Sequence, residues 1–219
     1  MRVFITGVSS GIGRELARQL VAGGHEVWGV ARRVEAMAAL AAELDGTRFR
    51  YSGCDIADPA ACATVCREMD AAGYLPDAVV LNAGIDLDDA PPGLDAAQSA
   101  RIMRTNYDGA HYWVAAFIEP FLRRGSGQFV GISSILARWP DPGSVSYAAS
   151  KAALSMMFRG LRRRYAGSEI QFKLVYLGPV DTPINPRYSE RQPASSPLVA
   201  SAPATAASIA RLLDSRREN

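Results

Sequence analysis

The sequence predicts an α/β protein in which a doubly wound parallel sheet lies between two layers of helices. Short apolar segments alternate with longer helical patterns from the first residue onward, and this alternation is typical of repeated βαβ units. Glycines fall where the helices should end, as expected for helix C-termini. The 219 residues, of which 48% are apolar, suffice for one core around such a sheet.

Each predicted strand is a short apolar run, and each predicted helix carries apolar residues at helical spacing. The strands are predicted at residues 1–6, 26–31, 48–53, 77–82, 127–132 and 170–177, and the helices at residues 12–23, 34–44, 58–71, 97–124 and 146–166. Residues 179–203 contain six of the thirteen prolines, too many for a helix interior or a central strand. We therefore expect one domain over residues 1–219, with a loop at residues 183–203 and a last helix at residues 204–217.

Charge and cysteine content argue against several classes of protein. With 24 Lys and Arg against 22 Asp and Glu, the net charge of +2 is too small to favour nucleic acid or a membrane surface as partner. Three cysteines and two histidines show no spacing typical of a metal site, and Cys62 and Cys66 are interpreted as a buried, inert pair. No apolar run approaches the roughly 18 residues of a spanning helix, so we expect a cytoplasmic protein.

The turn between the first predicted strand and helix is rich in glycine. Glycines here let backbone N–H groups approach a pyrophosphate, and the N-terminus of the following helix favours negative charge. The candidate contacts are Gly7, Ser9, Ser10, Gly11, Ile12 and Gly13. A strand before the turn and a helix after it favour dinucleotide binding, whereas a glycine-rich turn without a ligand is the alternative.

Together with four further segments, this turn resembles the start of the short-chain dehydrogenase/reductase family. The spacing Gly-x3-Gly-x-Gly after a threonine departs from the more usual Gly-x-Gly-x2-Gly. The other segments are Asp55-Ile56, Asn82-Ala83-Gly84, Ser134 with Tyr147 and Lys151, and the stretch from Gly178 to Thr182. The family's Pro-Gly is reversed here to Gly178-Pro179. The resemblance covers residues 1–182.

The resemblance implies a Rossmann fold that binds a nicotinamide dinucleotide. It assigns an adenine contact to the segment after the third strand, and support of the sheet beside the adenosine to the segment after the fourth. It assigns nicotinamide contacts to the stretch after the sixth strand. The residues so assigned are Asp55, Ile56, Asn82, Ala83, Gly84, Pro179, Val180 and Thr182.

Tyr147 and Lys151 lie four residues apart near the start of a predicted helix, so their side chains share one face. A free tyrosine titrates near about pH 10, and a nearby ammonium favours the phenolate and lowers its pKa. The resemblance implies that Tyr147 exchanges a proton with the substrate oxygen, that Ser134 hydrogen-bonds the same oxygen, and that Lys151 also binds the nicotinamide ribose. It gives Asn106 the support of a proton-relay water beside the lysine. Taken singly, each residue is also compatible with an ordinary surface position.

The residues after the second predicted strand favour NADP(H) over NAD(H). In dinucleotide folds, an acidic residue about 20 positions after the turn binds the ribose hydroxyls and repels a 2′-phosphate. Ala31 takes that position here, and Arg32 and Arg33 follow, whose guanidinium groups match phosphate oxygens in geometry. The alternative is that both arginines only form a solvated start to the next helix.

By the resemblance, a seventh strand should follow the last helix, but no pattern for it is present. We therefore expect a sheet without that strand and a homodimer through helices 97–124 and 146–166, rather than a tetramer. Residues 183–203 take the place of the family's substrate-binding loop. We predict that this loop is mobile without ligand and closes over the cofactor.

These inferences predict an NADP(H)-dependent oxidoreductase that moves a hydride between the nicotinamide and a carbonyl or secondary alcohol of a small molecule. The alternative is a catalytically silent NADP(H)-binding sensor or scaffold of the same fold. A pure sensor has no physical reason to keep the Tyr147–Lys151 pair. Arg138 and Arg187 near the opening mildly suit a polar or anionic substrate.

Overall fold

The computed structural model describes residues 1–44, 46–87, 93–184 and 198–215. Six parallel strands form one sheet in the order β3-β2-β1-β4-β5-β6. The strands are β1 (Arg2–Thr6), β2 (Glu26–Ala31), β3 (Phe49–Gly53), β4 (Ala78–Leu81), β5 (Gly127–Ser134) and β6 (Ile170–Leu177). Their bounds agree with the predicted strands within two residues at either end.

Helices cover both faces of the sheet. They are α1 (Gly11–Ala22), α2 (Val34–Glu43), α3 (Pro59–Ala71), α4 (Ala96–Met103), α5 (Gly109–Arg124), α6 (Val145–Arg164) and α7 (Ala202–Asp214). One hydrophobic core lies between the sheet and α1, α2 and α7, and the second lies between the sheet and α3, α5 and α6. The predicted three-layer, doubly wound fold is confirmed.

The strands are apolar along their length because both faces of the sheet are buried. In β1, Val3 and Ile5 face the core formed with α1, α2 and α7. Phe4, between them, faces the other core, and its ring centroid lies 4.5 Å from that of Trp113 in α5. Alternate residues of one strand therefore hold the two layers of helices against the same sheet.

The predicted helix at residues 97–124 is present without a break from Ala96 to Arg124, but its geometry is not uniform. A π turn over Arg104–Asp108 lies between the two α-helical parts, α4 and α5. The turn inserts an extra residue per turn, which directs the buried Asn106 toward the end of β4. Gly109, at the start of α5, packs so closely on Ile56 that a Cβ there would lie 2.8 Å from the isoleucine side chain. Tertiary contacts of this kind leave no periodic pattern in the sequence.

A two-residue strand pair follows the main sheet. Strand β7 (Val180–Asp181) pairs in parallel with β8 (Ala200–Ser201), and the N–H of Ala200 donates to the carbonyl of Pro179 at 2.9 Å. Helix α7 begins directly after β8, and the Ser201 hydroxyl accepts from the N–H of Ala204 at 3.3 Å. The loop predicted at residues 183–203 falls largely on residues 185–197. These, with Arg187, lie outside the described residues, so the predicted mobility and closure stay predictions.

Lys173 of β6 is fully buried and fastens α7 to the sheet. Its Nζ donates to Gln128 Oε1 at 2.7 Å and to the carbonyls of Leu212 at 2.9 Å and Ser215 at 2.5 Å. The last carbonyls of a helix have no partner within the helix, so this ammonium satisfies them and complements the helix dipole. Within the described ranges no strand follows α7, and β6 forms the edge of the sheet, as expected from the sequence.

None of the helices in the described part of the chain combines the length and the apolar character needed to cross a membrane.

Candidate active site

A cleft of about 480 Å³ opens along the carboxyl ends of the strands, beside the point where the strand order reverses between β1 and β4. Every residue predicted to bind a cofactor lines this cleft except Gly13 and Pro179. Of the predicted catalytic residues, Ser134, Tyr147 and Lys151 line it too, whereas Asn106 lies behind the wall. The structure thus brings the predicted residues together.

The glycines of the first turn are required by the backbone and by close packing. Gly7 and Gly11 have φ angles of +80° and +55°, which L side chains rarely adopt. A Cβ on Gly13 would collide with the Gly7 carbonyl and lie 2.6 Å from Asn82 Nδ2. Gly13 therefore lets α1 pack against the turn, which explains why it does not line the cleft itself.

The turn is fastened to the end of β4 by Thr6 and Asn82. The Thr6 hydroxyl accepts from the N–H groups of Asn82 and Ala83, each at 3.0 Å, and Asn82 Nδ2 donates to the Thr6 carbonyl at 2.9 Å. These bonds join β1 to β4 at the bottom of the cleft. Thr6 was not among the residues predicted from the sequence, although its position directly before Gly7 was the available signal.

The stretch after β6 forms the opposite wall. A Cβ built on Gly11 would lie 3.2 Å from Thr182 Cγ2, so this stretch packs directly on the glycine turn. Val180 and Thr182 line the cleft, whereas Pro179 contributes its carbonyl to β8. The reversed order of Gly178 and Pro179 is therefore accommodated beside the strand pair.

Two arginines lie at the rim of the cleft, after the end of β2. Arg33 Nη2 donates to the hydroxyls of Ser10 at 2.7 Å and Ser9 at 3.1 Å. Arg32 also lines the cleft, and both side chains are exposed. Two positive charges and two hydroxyl groups thus surround one corner, and this set of donors is suited to an anion such as phosphate.

Ser134, Tyr147 and Lys151 converge at the other end of the cleft. Ser134 is the last residue of β5, which extends two residues beyond its predicted end, and its hydroxyl accepts from the N–H of Leu136 at 3.2 Å. Lys151 Nζ lies 5.6 Å from the centroid of the Tyr147 ring and donates to the Ile132 carbonyl at 2.9 Å. The four-residue spacing on α6 therefore places both side chains at the end of β5, as predicted.

The pKa of Tyr147 differs from the expectation based on its spacing from Lys151, which was a lowered value. Burial raises the pKa of Tyr147 above its usual range, and the Asp86 carboxylate raises it further, whereas the hydrogen bond with Ser134 lowers it. Burial lowers the pKa of Lys151 to about 8, and Asp86 opposes that change. With these protein groups alone the phenol stays neutral, because burial and the Asp86 carboxylate outweigh the hydrogen bond with Ser134.

Asn106 holds the loop that follows β4. Its Nδ2 donates to the Ile85 carbonyl at 2.9 Å and to Ser150 Oγ at 3.0 Å, and its Oδ1 accepts from the Ile85 N–H at 2.8 Å. A Cβ on Gly84 would lie 3.3 Å from both Asn106 Oδ1 and Lys151 Nζ, so the asparagine and the lysine flank one glycine. Support of a relay water beside Lys151 stays a prediction.

The segment after β3 lies beside the cysteines. Asp55 and Ile56 line the cleft where the adenine contact is predicted. Cys54 and Cys62 are buried, but Cys66 is only partly so, and Cys62 interacts with Cys54. The interpretation of Cys62 and Cys66 as a buried pair therefore holds for Cys62, whereas Cys66 is only partly buried against the core. One helical turn separates them, but helix α3 directs only Cys62 fully into the core.

Asp86, two residues after Gly84, is a site residue that was not predicted from the sequence. Its Oδ2 accepts from Ser144 Oγ at 3.5 Å, three residues before Tyr147 in the chain. Its charge acts on both Tyr147 and Lys151. The sequence shows an acidic side chain two residues after Asn82-Ala83-Gly84. It does not show that this side chain lies close to α6.

In the described segments no group of three potential metal-ligating side chains lies together.

Comparison with known proteins gives the same family as the site. The family model described as short chain dehydrogenase matches residues 1–193. Dehydrogenase/reductase SDR family member 7B of Bos taurus is 33% identical over 189 residues, which cover 82% of this chain and 58% of that protein. The chain thus spans less than two thirds of that relative's length.

Two further proteins are similar over most of the chain. The NADP-dependent 3-hydroxy acid dehydrogenase YdfG of Salmonella typhi is 30% identical over 177 residues, covering 78% of this chain and 69% of that protein. The crystal structure of a short-chain dehydrogenase from Streptomyces avermitilis has a TM-score of 0.87 at 28% identity, covering 100% of this chain and 86% of that one. Since the fold, the matched residues 1–193 and these relatives agree, the chain belongs to the short-chain dehydrogenase/reductase family.

Proposed function

We propose that the protein is an NADP(H)-dependent oxidoreductase that transfers a hydride between the nicotinamide and a carbonyl or secondary alcohol of a small molecule. The observation that carries the proposal is the composition of one cleft. At one end it holds Ser134, Tyr147 and Lys151, and at the other it holds Arg32 and Arg33. A cleft with proton-transfer groups at one end and anion-binding groups at the other suits a phosphorylated dinucleotide together with a substrate.

The residues fit a dinucleotide in shape as well as in charge. Gly7 and Gly11 leave the floor of the cleft without side chains at the N-terminus of α1, where a pyrophosphate is favoured. We propose that this turn binds the pyrophosphate, that Asp55 and Ile56 contact the adenine, and that Asn82-Ala83-Gly84 borders the adenosine. In the same proposal, Val180 and Thr182 hold the nicotinamide end, together with Pro179.

The preference for NADP(H) rests on Arg33. Its guanidinium is already hydrogen-bonded to the Ser9 and Ser10 hydroxyls, so little ordering is needed before it contacts a 2′-phosphate. Ala31 places no carboxylate at the end of β2 to repel that phosphate. A relative at 30% identity is an NADP-dependent enzyme, which supports the same choice.

A nicotinamide held beside Tyr147 and Lys151 would supply the hydride in carbonyl reduction and would accept it in alcohol oxidation. In reduction, Tyr147 donates its phenolic proton to the substrate oxygen, and the neutral phenol favoured by burial is the form this step needs. Ser134 donates a hydrogen bond to the same oxygen and orients it toward Tyr147. Lys151 lies beneath the Tyr147 ring and holds the ribose by its ammonium, while Asn106 keeps the neighbouring loop in place.

We further propose a homodimer through the surfaces of α4, α5 and α6, which correspond to the predicted helices 97–124 and 146–166. Val145 and Met156 of α6 are exposed apolar side chains, which a second copy could cover. Size-exclusion chromatography with light scattering at several concentrations tests this proposal. A monomer at all concentrations would overturn it.

The central experiment is a binding titration with NADPH and NADH, followed by absorbance at the nicotinamide band with a panel of 3-hydroxy acids, ketones, aldehydes and acyl thioesters. Tight binding of NADPH with turnover of one panel member supports the enzyme. Binding without turnover of any member favours the silent sensor. A protein that binds neither dinucleotide would contradict the whole proposal.

A further inference from the structure

Behind the wall of the cleft, a fully buried serine joins the backbone of Tyr147 to the π turn between α4 and α5. Ser150 directly precedes Lys151 in α6, and none of its surface is exposed. Its Oγ donates to the Tyr147 carbonyl at 2.7 Å, a bond from the hydroxyl back to the preceding turn of the helix. The same Oγ accepts from Asn106 Nδ2 at 3.0 Å. One hydroxyl therefore connects a residue of the candidate active site to Asn106.

The chemistry of the partners determines the direction of each of these hydrogen bonds. The Tyr147 carbonyl can only accept, so the single hydroxyl proton of Ser150 points to it. The Ser150 oxygen then accepts from an N–H group, which Asn106 Nδ2 supplies. Asn106 Nδ2 also donates to the Ile85 carbonyl at 2.9 Å, and Asn106 Oδ1 accepts from the Ile85 N–H at 2.8 Å. All of these bonds require the same orientation of the Asn106 amide.

The position of Asn106 determines the position of the loop that follows β4. Both the N–H and the carbonyl of Ile85 are bonded to the Asn106 amide, so the backbone directly after Gly84 follows any movement of that amide. A Cβ on Gly84 would lie 3.3 Å from Lys151 Nζ, and the lysine in turn donates to the Ile132 carbonyl at 2.9 Å. The loop therefore forms one side of the space that the lysine ammonium occupies.

Burial makes the bond between Ser150 and Asn106 important for this arrangement. Asn106 is only 1% exposed, so water cannot readily replace a lost partner. Without the Ser150 hydroxyl, one N–H of the Asn106 amide would lose its acceptor inside the protein, and the amide would be free to tilt. A tilt would be passed to Ile85 through both of its backbone bonds.

We propose that Ser150 is a positioning residue that sets Tyr147 and Lys151 against the loop after β4, acting through Asn106. The inference rests on the proposed function, in which Tyr147 donates its proton to the substrate oxygen and Lys151 holds the ribose. Ser150 is not among the described residues that line the cleft. Because small misplacements of reacting groups slow catalysis strongly, loss of its hydroxyl reduces the rate while every group that lines the cleft is kept.

The first test compares Ser150→Ala with Ser99→Ala. Ser99 of α4 is a matched control, because its Oγ lies 2.7 Å from Ser146 Oγ and thus also joins the first turn of α6 to a neighbouring helix. Among the described residues, its hydroxyl has no bond to Asn106. We expect kcat to be about tenfold lower in Ser150→Ala than in Ser99→Ala, with similar melting temperatures. Equal kcat values in the two variants would overturn the inference.

A double-mutant cycle tests whether Ser150 acts through Asn106. In an Asn106→Ala background, Ser150→Ala should lower kcat by less than about a further twofold, because the partner of the hydroxyl is already absent. A general loosening of α6 would instead make the two losses multiply, since the effects of independent changes add as free energies. Losses that multiply would therefore contradict the proposed role of Ser150.

Hydrogen–deuterium exchange gives a readout that does not need turnover. The N–H of Ile85 donates to Asn106 Oδ1, so its protection reports how firmly that amide is held. We expect several-fold faster exchange of the Ile85 N–H in Ser150→Ala than in Ser99→Ala. Equal exchange in the two variants would overturn the inference even if the wild-type protein turned over a substrate. Absence of NADPH binding or turnover in the wild-type protein would instead overturn the proposed function, and exchange at Ile85 would still decide whether Ser150 holds Asn106.

Discussion

The guanidinium of Arg33 donates to the Ser10 hydroxyl at 2.7 Å, so a cation from the end of β2 lies over the first turn before α1. The same guanidinium also reaches Ser9. This contact joins the two segments that the sequence assigned separately, one to a pyrophosphate and the other to a 2′-phosphate. The proposed preference for NADP(H) therefore depends on the residues of one corner of the cleft.

Replacement of Arg33 by glutamine is expected to weaken NADPH binding selectively. A hydrogen bond to a charged group is worth about 1.5–3 kcal/mol, so the Kd for NADPH should rise by about 10- to 100-fold while that for NADH changes less than about twofold. Fluorescence or calorimetric titration of both dinucleotides measures the ratio. Arg14→Gln is the control, because Arg14 pairs with Glu43 on the outer side of α1. Equal losses for NADPH and NADH would remove the assignment of Arg33 to the phosphate.

Tyr147→Phe is expected to lower kcat by about 10²- to 10⁴-fold, because in the proposed reaction the phenolic proton is the one transferred to the substrate oxygen. The NADPH affinity should stay within about threefold, since the ring and Lys151 keep their places. Steady-state kinetics measures kcat, and a separate titration measures the Kd for NADPH. If the variant keeps most of its turnover, Tyr147 is not the proton donor.

The pH profile of carbonyl reduction should depend on Asp86. Burial and the Asp86 carboxylate both raise the pKa of Tyr147, so the phenol stays protonated and able to donate to higher pH. Asp86 also opposes the lowering of the Lys151 pKa. Asp86→Asn removes both effects, and the alkaline limb of kcat/KM should therefore move to lower pH. An unchanged limb in Asp86→Asn, measured against Ser144→Ala, would mean that Asp86 does not act on this pair.

Lys151→Met should stabilise the fold while abolishing turnover. Burial lowers the pKa of Lys151 from 10.5 to about 8, so the unfolded chain binds an extra proton between these values and the stability of the wild-type protein rises with pH across that window. At pH 7 the charged lysine costs folding energy, and we expect the variant to gain about 2 kcal/mol in the free energy of unfolding. Urea denaturation at pH 7 and pH 10 measures the free energy of unfolding of both proteins. If the gain in stability did not shrink at pH 10, the charge of the buried lysine would not be its cause.

The other buried lysine should behave in the opposite way. Lys173 satisfies Gln128 and the carbonyls of Leu212 and Ser215, so its removal leaves those acceptors buried without this donor. Lys173→Met is expected to lower the free energy of unfolding by about 3 kcal/mol. The same urea titration compares the two lysine variants directly. A neutral or stabilising Lys173→Met would show that the ammonium does not hold α7.

The sequence was sufficient where the signal is local. Strand and helix bounds followed from apolar periodicity, and the spacing of Ser134, Tyr147 and Lys151 was enough to bring these side chains to one end of the cleft. The π turn at residues 104–108 was not predictable, because it depends on the bonds between Asn106 and Ile85, which are 21 positions apart. A helical pattern cannot show such a partner.

The other differences have the same physical origin. The two-residue strands β7 and β8 are too short to carry an alternation pattern. Lys173 looks like a polar residue in a strand, and only the fold shows that the end of α7 needs its ammonium. The raised pKa of Tyr147 depends on burial and on Asp86, which come from different parts of the chain. Contacts distant in sequence therefore set the features of the site that spacing alone did not predict.

The pairing of β7 with β8 has a consequence for protein engineering. It holds the two ends of the intervening segment, residues 182–199, side by side on the folded body. The entropy needed to close a loop between fixed ends grows slowly with its length, by about 0.6 kcal/mol for each doubling. The positions after Thr182 and before Ala200 therefore form natural splice points, where a segment of different length or composition can be transplanted while the sheet and the contact of Thr182 with the glycine turn stay as they are.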